Sequence, residues 1–135
     1  MKPPTNVRPW HIALWTVQTI LALFFGFVGV AKLRISPSEA AAQMPWVLEY
    51  PSWTQSFIGT AELLGALGLV LPTLLRILPA LTQVAALALT TVMVLAGFYH
   101  AGHDEYAAIA VNAVLGVLLV FIAWGRWRKA PIAPR

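Results

Sequence analysis

The sequence contains no cysteine, which removes disulfides, zinc–thiolate sites, iron–sulfur ligation and thiol redox chemistry. Any redox role would have to use electrons carried by a bound cofactor or substrate. Charge is nearly as scarce: 10% of the 135 residues are Asp, Glu, Lys or Arg, against about a quarter in an ordinary soluble domain. With 59% hydrophobic residues, a water-soluble globular fold is excluded. The net charge of +4 does not form a basic face, because the cations sit at the ends of apolar runs, so no nucleic-acid partner is expected. There is no phosphate-cradling glycine loop either. Gly26, Gly29, Gly65, Gly68 and Gly116 fall at helix-packing positions instead.

What the chain does have is four long apolar runs. Crossing about 30 Å of hydrocarbon takes roughly 20 apolar helical residues. Candidate spans cover about 10–33, 52–71, 77–99 and 106–125, and only the second is interrupted by a charge, Glu62. The first follows Lys2 and Arg8 as a signal peptide would, but its apolar stretch is too long for one and no cleavage site follows, so it reads as retained. Residues 1–135 therefore read as one transmembrane domain, an all-α integral membrane four-helix bundle. Pro72 and Pro79 mark a short turn that makes the second and third spans an antiparallel hairpin.

Orientation follows from the cations. The termini and the middle turn share one side and hold Lys2, Arg8, Arg76, Arg126, Arg128, Lys129 and Arg135, whereas the other side has only Lys32 and Arg34. Seven against two predicts a multi-pass protein with both termini in the cytoplasm. The outer loop, 34–51, should contain a short interfacial helix. Ser36, Pro37 and Glu39 form a capping-box start, Ala40–Met44 would continue the helix, and Pro45 would stop it. Trp46, Tyr50 and Trp53 suit the headgroup region, and the loop could act as a lid. The tail 131–135 is expected to fray.

Glu62 is the most informative residue. A carboxylate within a span costs about 2.5–3.5 kcal/mol on insertion scales and normally faces the bundle interior. Gly59, Gly65 and Ala66 share its face, which points it at a helix interface, about 14 Å below the outer end of its span. Lys32 closes the first span on that outer side, on a face with Phe25, Gly29 and Gln18, and its stem could bring the ammonium to Glu62. Alternatively Lys32 snorkels to the headgroups while Glu62 hydrogen-bonds a neighbouring helix. His100 ends the third span ahead of His103, Asp104 and Glu105, and Asn112 lies about two turns into the fourth. Lys32, Glu62, His100 and Asn112 thus collect in the outer half, where Phe25, Trp46, Trp53, Phe57 and Tyr99 would supply an apolar lining. The bland alternative makes His100 and its neighbours a solvated loop. A metal or haem on His100 and His103 is disfavoured, since loop histidines beside acids are common and His11 lies at the far end.

Gly29-Val-Ala-Lys32-Leu33, the run from Phe57 through Glu62 to Pro72, Arg76-Ile-Leu-Pro79, Ala96-Gly-Phe-Tyr-His100 and Trp124-Gly-Arg126 resemble the DoxX-like family of small bacterial four-helix membrane proteins, over roughly residues 12 to 128. The resemblance implies this architecture and a bacterial inner membrane, and puts Lys32, Glu62 and His100 at the family's characteristic polar positions. The family's name comes from a subunit of an archaeal thiosulfate:quinone oxidoreductase. Three functions stay open. The first is an accessory or redox-linked protein binding a lipophilic, quinone-like molecule, with Glu62 and His100 hydrogen-bonding or exchanging protons with it and Lys32 tuning Glu62. The second is a membrane enzyme performing acid–base isomerisation or ring opening on a lipophilic substrate. The third is a non-catalytic assembly protein, partnered by another membrane protein or by copies of itself.

Overall fold

Without water to satisfy the peptide groups, an apolar run in a bilayer must close its hydrogen bonds within itself, and the helix does so residue by residue. The computed structural model describes residues 6–135; Lys2, counted above with the cations, lies outside them. Helix α1 spans Val7–Arg34, α2 is a single turn at Pro37–Ala40, and α3 (Trp53–Leu75), α4 (Ala80–Gly102) and α5 (Tyr106–Arg128) follow. The four long helices are all long and apolar enough to cross a membrane. Each has at least 23 residues, about 35 Å of helix.

The helices pack through stripes with three- and four-residue spacing. α1 buries Leu14, Gln18, Leu21, Phe25, Gly29 and Lys32, and α3 answers with Gln55, Gly59, Glu62, Gly65, Ala66, Leu69 and Thr73. α4 contributes Thr82, Ala86, Leu89 and Met93. The buried residues of α5 begin only at Leu119, so its loop-proximal half lies on the bundle without entering it. α1 packs chiefly on α3 and α4 on α5, with α3 against α4 joining the two pairs. α1 meets α5 near the ends that carry the termini, where Trp10 and Leu14 contact Trp124 and Gly125. The opposite face is the reverse of a soluble protein's: Leu23, Phe27, Phe98 and Val117 are each about 70% exposed or more. A surface this apolar is stable only against lipid.

Helix limits differ from the hydropathy runs by about a turn: α1, α4 and α5 run on through polar ends that hydropathy discounts, whereas α4 starts only at Ala80, after the turn. Pro72 is inside α3, not in the turn: α3 forgoes one bond to the Gly68 carbonyl and runs on to Leu75. The turn forms at Arg76 and Leu78, both at positive φ (58° and 45°), with Pro79 capping α4. In the first loop Ser36 and Glu39 do form the capping box. The helix nevertheless ends at Ala40, whose carbonyl takes the N–H groups of both Gln43 and Met44 and closes a turn, and Pro45 starts a 3-10 turn to Leu48. The Ser36 hydroxyl, bonded to the Glu39 carboxylate at 2.7 Å, holds that carboxyl below its ordinary range. The tail is not frayed: the Arg135 N–H donates to the Arg76 carbonyl, and Arg76 Nε donates to the Ala133 carbonyl at 3.0 Å.

Candidate functional site

Two glycines bring the charged residues together. A Cβ on Gly29 would lie 2.7 Å from the Gly59 carbonyl oxygen and 2.8 Å from the Leu63 nitrogen, both backbone atoms that cannot give way. A Cβ on Gly59 would lie 3.0 Å from the Gly29 oxygen and from Lys32 Cβ. α1 and α3 are therefore in backbone contact here. Lys32, three residues after Gly29, and Glu62, three after Gly59, emerge one turn from that contact on facing stripes.

Lys32 Nζ donates to both Glu62 oxygens, at 2.8 and 2.7 Å, with side chains 10% and 4% exposed. Gln55, a residue outside the sequence-level candidates, completes this cluster. Its Nε2 donates to the carbonyls of Lys32 and Ile35, both at 2.8 Å, and so closes the end of α1 that carries the lysine. Its Oε1 is buried without a partner among the described residues. Glu62 and Gln55 are seven residues apart, two turns on one face, which is the signal that could have identified Gln55. Phe25 is fully buried one turn below Gly29, in the apolar cluster with Leu21, Ala66 and Leu69.

The remaining candidates separate into different environments. His100 Nδ1 meets Glu105 Oε2 at 2.5 Å, so this histidine is engaged by its own turn. Tyr99 donates to Glu49 Oε1 at 2.7 Å, and His103, stacked on Tyr99, places Nε2 3.3 Å from Glu49 Oε2. These contacts tie the first loop to the end of α4. The His103 pKa is raised, chiefly by its bond to the Tyr99 carbonyl; burial opposes this, and the charges of Glu49 and Glu105 add to the rise. Asn112 is half-buried with Nδ2 unpartnered. Trp46 is half-buried in the loop, while Trp53 and Phe57, each 64% exposed, pack edge to face on the lipid-facing side of α3. Among the described residues, no three His, Asp or Glu side chains come together as a metal would require.

A second polar cluster lies at the terminal end. Gln18, fully buried, donates to the Leu69 carbonyl at 2.5 Å and accepts from Arg126 Nε at 2.6 Å. Arg126, which the charge pattern places in the cationic fringe, is 2% exposed.

Four long apolar helices, two of which meet at a buried lysine–glutamate pair, define a multi-pass integral membrane protein. The sequence model of the DoxX-like family matches residues 16–122, and the chain belongs to that family. The matched segment includes Lys32, Glu62, His100 and Asn112 and ends before Arg126. No curated protein and no solved structure matches the chain.

Proposed function

We propose that the protein is a redox-linked membrane accessory protein that holds a lipophilic, quinone-like molecule at the loop end of the bundle, with Lys32 and Glu62 as its polar anchor. The observation carrying this reading is the buried pair itself. Two apolar residues of similar volume would pack α1 on α3 at no greater cost, so architecture alone does not require charges there. Ionisable residues at membrane depth are by default functional. Asn112, with its unpartnered amide, would donate to a ligand carbonyl, and His100 with Glu105 would exchange protons at the rim. Trp46, Tyr99 and the outward Trp53 and Phe57 would guide an apolar ring from the lipid. The test is mass spectrometry and absorption spectroscopy of gently solubilised protein, followed by titration with a short-chain quinone. One bound equivalent is expected, weakened at least tenfold by Glu62→Gln. An intact protein that retains no quinone and binds none would overturn the proposal.

The mutual saturation of Lys32 and Glu62, beside the Gly29–Gly59 contact, favours a second reading in which the pair holds α1 on α3 within a larger membrane assembly. There Glu62→Gln lowers thermal stability and no small ligand is found.

Both readings put the termini in the cytoplasm at a bacterial inner membrane. The support is charge: Arg8, Arg76, Arg126, Arg128, Lys129 and Arg135 gather at the terminal end, opposite Glu39, Glu49, Asp104 and Glu105. Because the chain has no native cysteine, single cysteines introduced at Ser38 and Ile77 report cleanly. An impermeant maleimide should label the first in intact cells and the second only after lysis; the opposite pattern would invert the topology.

A further inference from the structure

The terminal end of the bundle holds a buried charge that no acidic side chain among the described residues balances. Arg126 lies in the last turn of α5 and is 2% exposed. It is drawn inward because its neighbour Gly125 lets α5 settle on α1: a Cβ there would fall 2.5 Å from the Leu14 side chain. Arg126 Nε donates to Gln18, and Nη1 donates to His11 Nδ1 at 3.1 Å and to the Ala130 carbonyl at 3.2 Å. The Trp15 ring lies 5.3 Å from the guanidinium carbon. None of these partners carries negative charge, and His11, accepting through Nδ1, is neutral in this contact. Nη2 is buried with no hydrogen-bond partner among the described residues. All five acids of the sequence are elsewhere: Glu39, Glu49, Asp104 and Glu105 in the turns of the opposite end, and Glu62 against Lys32. An arginine keeps its proton in any protein environment, so no internal rearrangement removes this charge.

Arg126 also lines a cavity of about 330 Å³. Its other walls include Thr73, Pro79, Gln83, Pro131 and Ile132, and the tail that forms one wall is fastened by its two bonds to Arg76. α4 begins at Ala80, on this cavity, and directs the positive end of its dipole there. Outside stand the marks of a membrane interface: Lys129 lies over the rings of Trp10 and Trp124, and Arg128 over Trp127.

We propose that this cavity is an oxyanion site in which the unpartnered Nη2 of Arg126 binds a phosphate group, carried by an anionic phospholipid headgroup or present as the free ion. The planar guanidinium suits an oxyanion, the volume fits a small headgroup, and the proline and isoleucine wall at interfacial depth suits the glycerol end of a lipid. The site is separate from Lys32 and Glu62, and its test does not depend on theirs.

The experiment uses the full chain in nanodiscs of phosphatidylcholine with or without phosphatidylglycerol, then native mass spectrometry after transfer to detergent. Wild type should retain phosphatidylglycerol in preference to phosphatidylcholine, and Arg126→Met should reduce that retention at least about tenfold, as loss of a charge-assisted bond predicts. Since Arg126→Met also breaks contacts to Gln18 and His11, Ala80→Leu serves as the second variant: it narrows the cavity and leaves those contacts in place. It should lose the lipid with an unchanged melting temperature. Inorganic phosphate titrated in detergent separates the sources: a rise in melting temperature in wild type but not in Ala80→Leu, without lipid preference, assigns the site to the free ion. Equal retention of the two lipids with no phosphate effect would overturn the proposal. So would loss of retention in Arg128→Gln/Lys129→Gln while Arg126→Met and Ala80→Leu keep it, since the exposed cations would then be the cause.

Discussion

Removing one member of the Lys32–Glu62 pair should do more harm than removing both. Lys32→Met leaves a carboxylate 4% exposed, nine residues into α3 and about 14 Å from its start, on a side chain too short to reach either surface. Loss of one partner from a buried pair costs about 3–5 kcal/mol, and this variant should fall in that range. Glu62→Leu leaves the ammonium instead, but Lys32 sits in the last turn of α1 and its four-carbon stem can swing toward the headgroups. Its cost should therefore be nearer the lower end, about 3 kcal/mol or somewhat less. The double variant Lys32→Met/Glu62→Leu keeps the volume and removes both charges, so its stability should return to within about 1 kcal/mol of wild type. For a chain of this size, 3 kcal/mol corresponds to roughly 10 °C in Tm. The assay is thermal unfolding of the four proteins in one detergent, completing a double-mutant cycle. Additive losses, with the double variant the least stable, would show that the two side chains do not stabilise each other and would refute the reasoning.

The glycine contact gives a sharper steric contrast. Gly29→Ala, whose methyl would meet backbone at 2.7 and 2.8 Å, should cost at least about 1–3 kcal/mol, whereas Gly97→Ala, with nothing within 4 Å of its Cβ, should be neutral or slightly stabilising. Equal melting temperatures for the two variants would mean that α1 and α3 do not touch through Gly29. The loop end should also respond to pH. Because folding raises the His103 pKa above its ordinary 6.5, its contribution is fully present below that value and fades as pH climbs through the raised one. Hydrogen exchange around Glu49 and Tyr99 should thus be slower at pH 6 than at pH 8, after correction for the intrinsic rate, and His103→Gln should abolish the difference. Protection that ignores pH, or a difference that survives the substitution, would remove His103 from this role.

Some of the site could be read directly because it follows helix periodicity. Glu62 shares a face with Gly59, Gly65 and Ala66, and Lys32 with Gly29 and Phe25; a 3.6-residue period places each set on one stripe before any partner is known. The capping box at Ser36 was equally legible, being a contact between residues three apart. Trp53 and Phe57 were harder, since aromatic character suits a ligand wall and a lipid-facing surface equally well. Their place on the outer side of α3 follows from which stripe α1 occupies. His100 was ambiguous in the same way: a residue at the last turn can face inward or toward its own loop, and the nearby Glu105 decides for the loop.

By itself, the sequence determined the four spans, their apolar exteriors and the position of one carboxylate among small residues. These are consequences of hydrophobic length and local periodicity, which need no knowledge of neighbours. The tertiary structure alone decided that Lys32 reaches Glu62 with both oxygens engaged, and that Gln55 closes the helix beside them. It alone turned Arg126 from a fringe cation into a buried one, through a contact with Gln18 that spans 108 positions of the chain. Such pairings depend on which helices become neighbours and how closely they approach. In this bundle the approach is set at Gly29, Gly59 and Gly125, where a missing side chain leaves room for backbone or a neighbouring side chain.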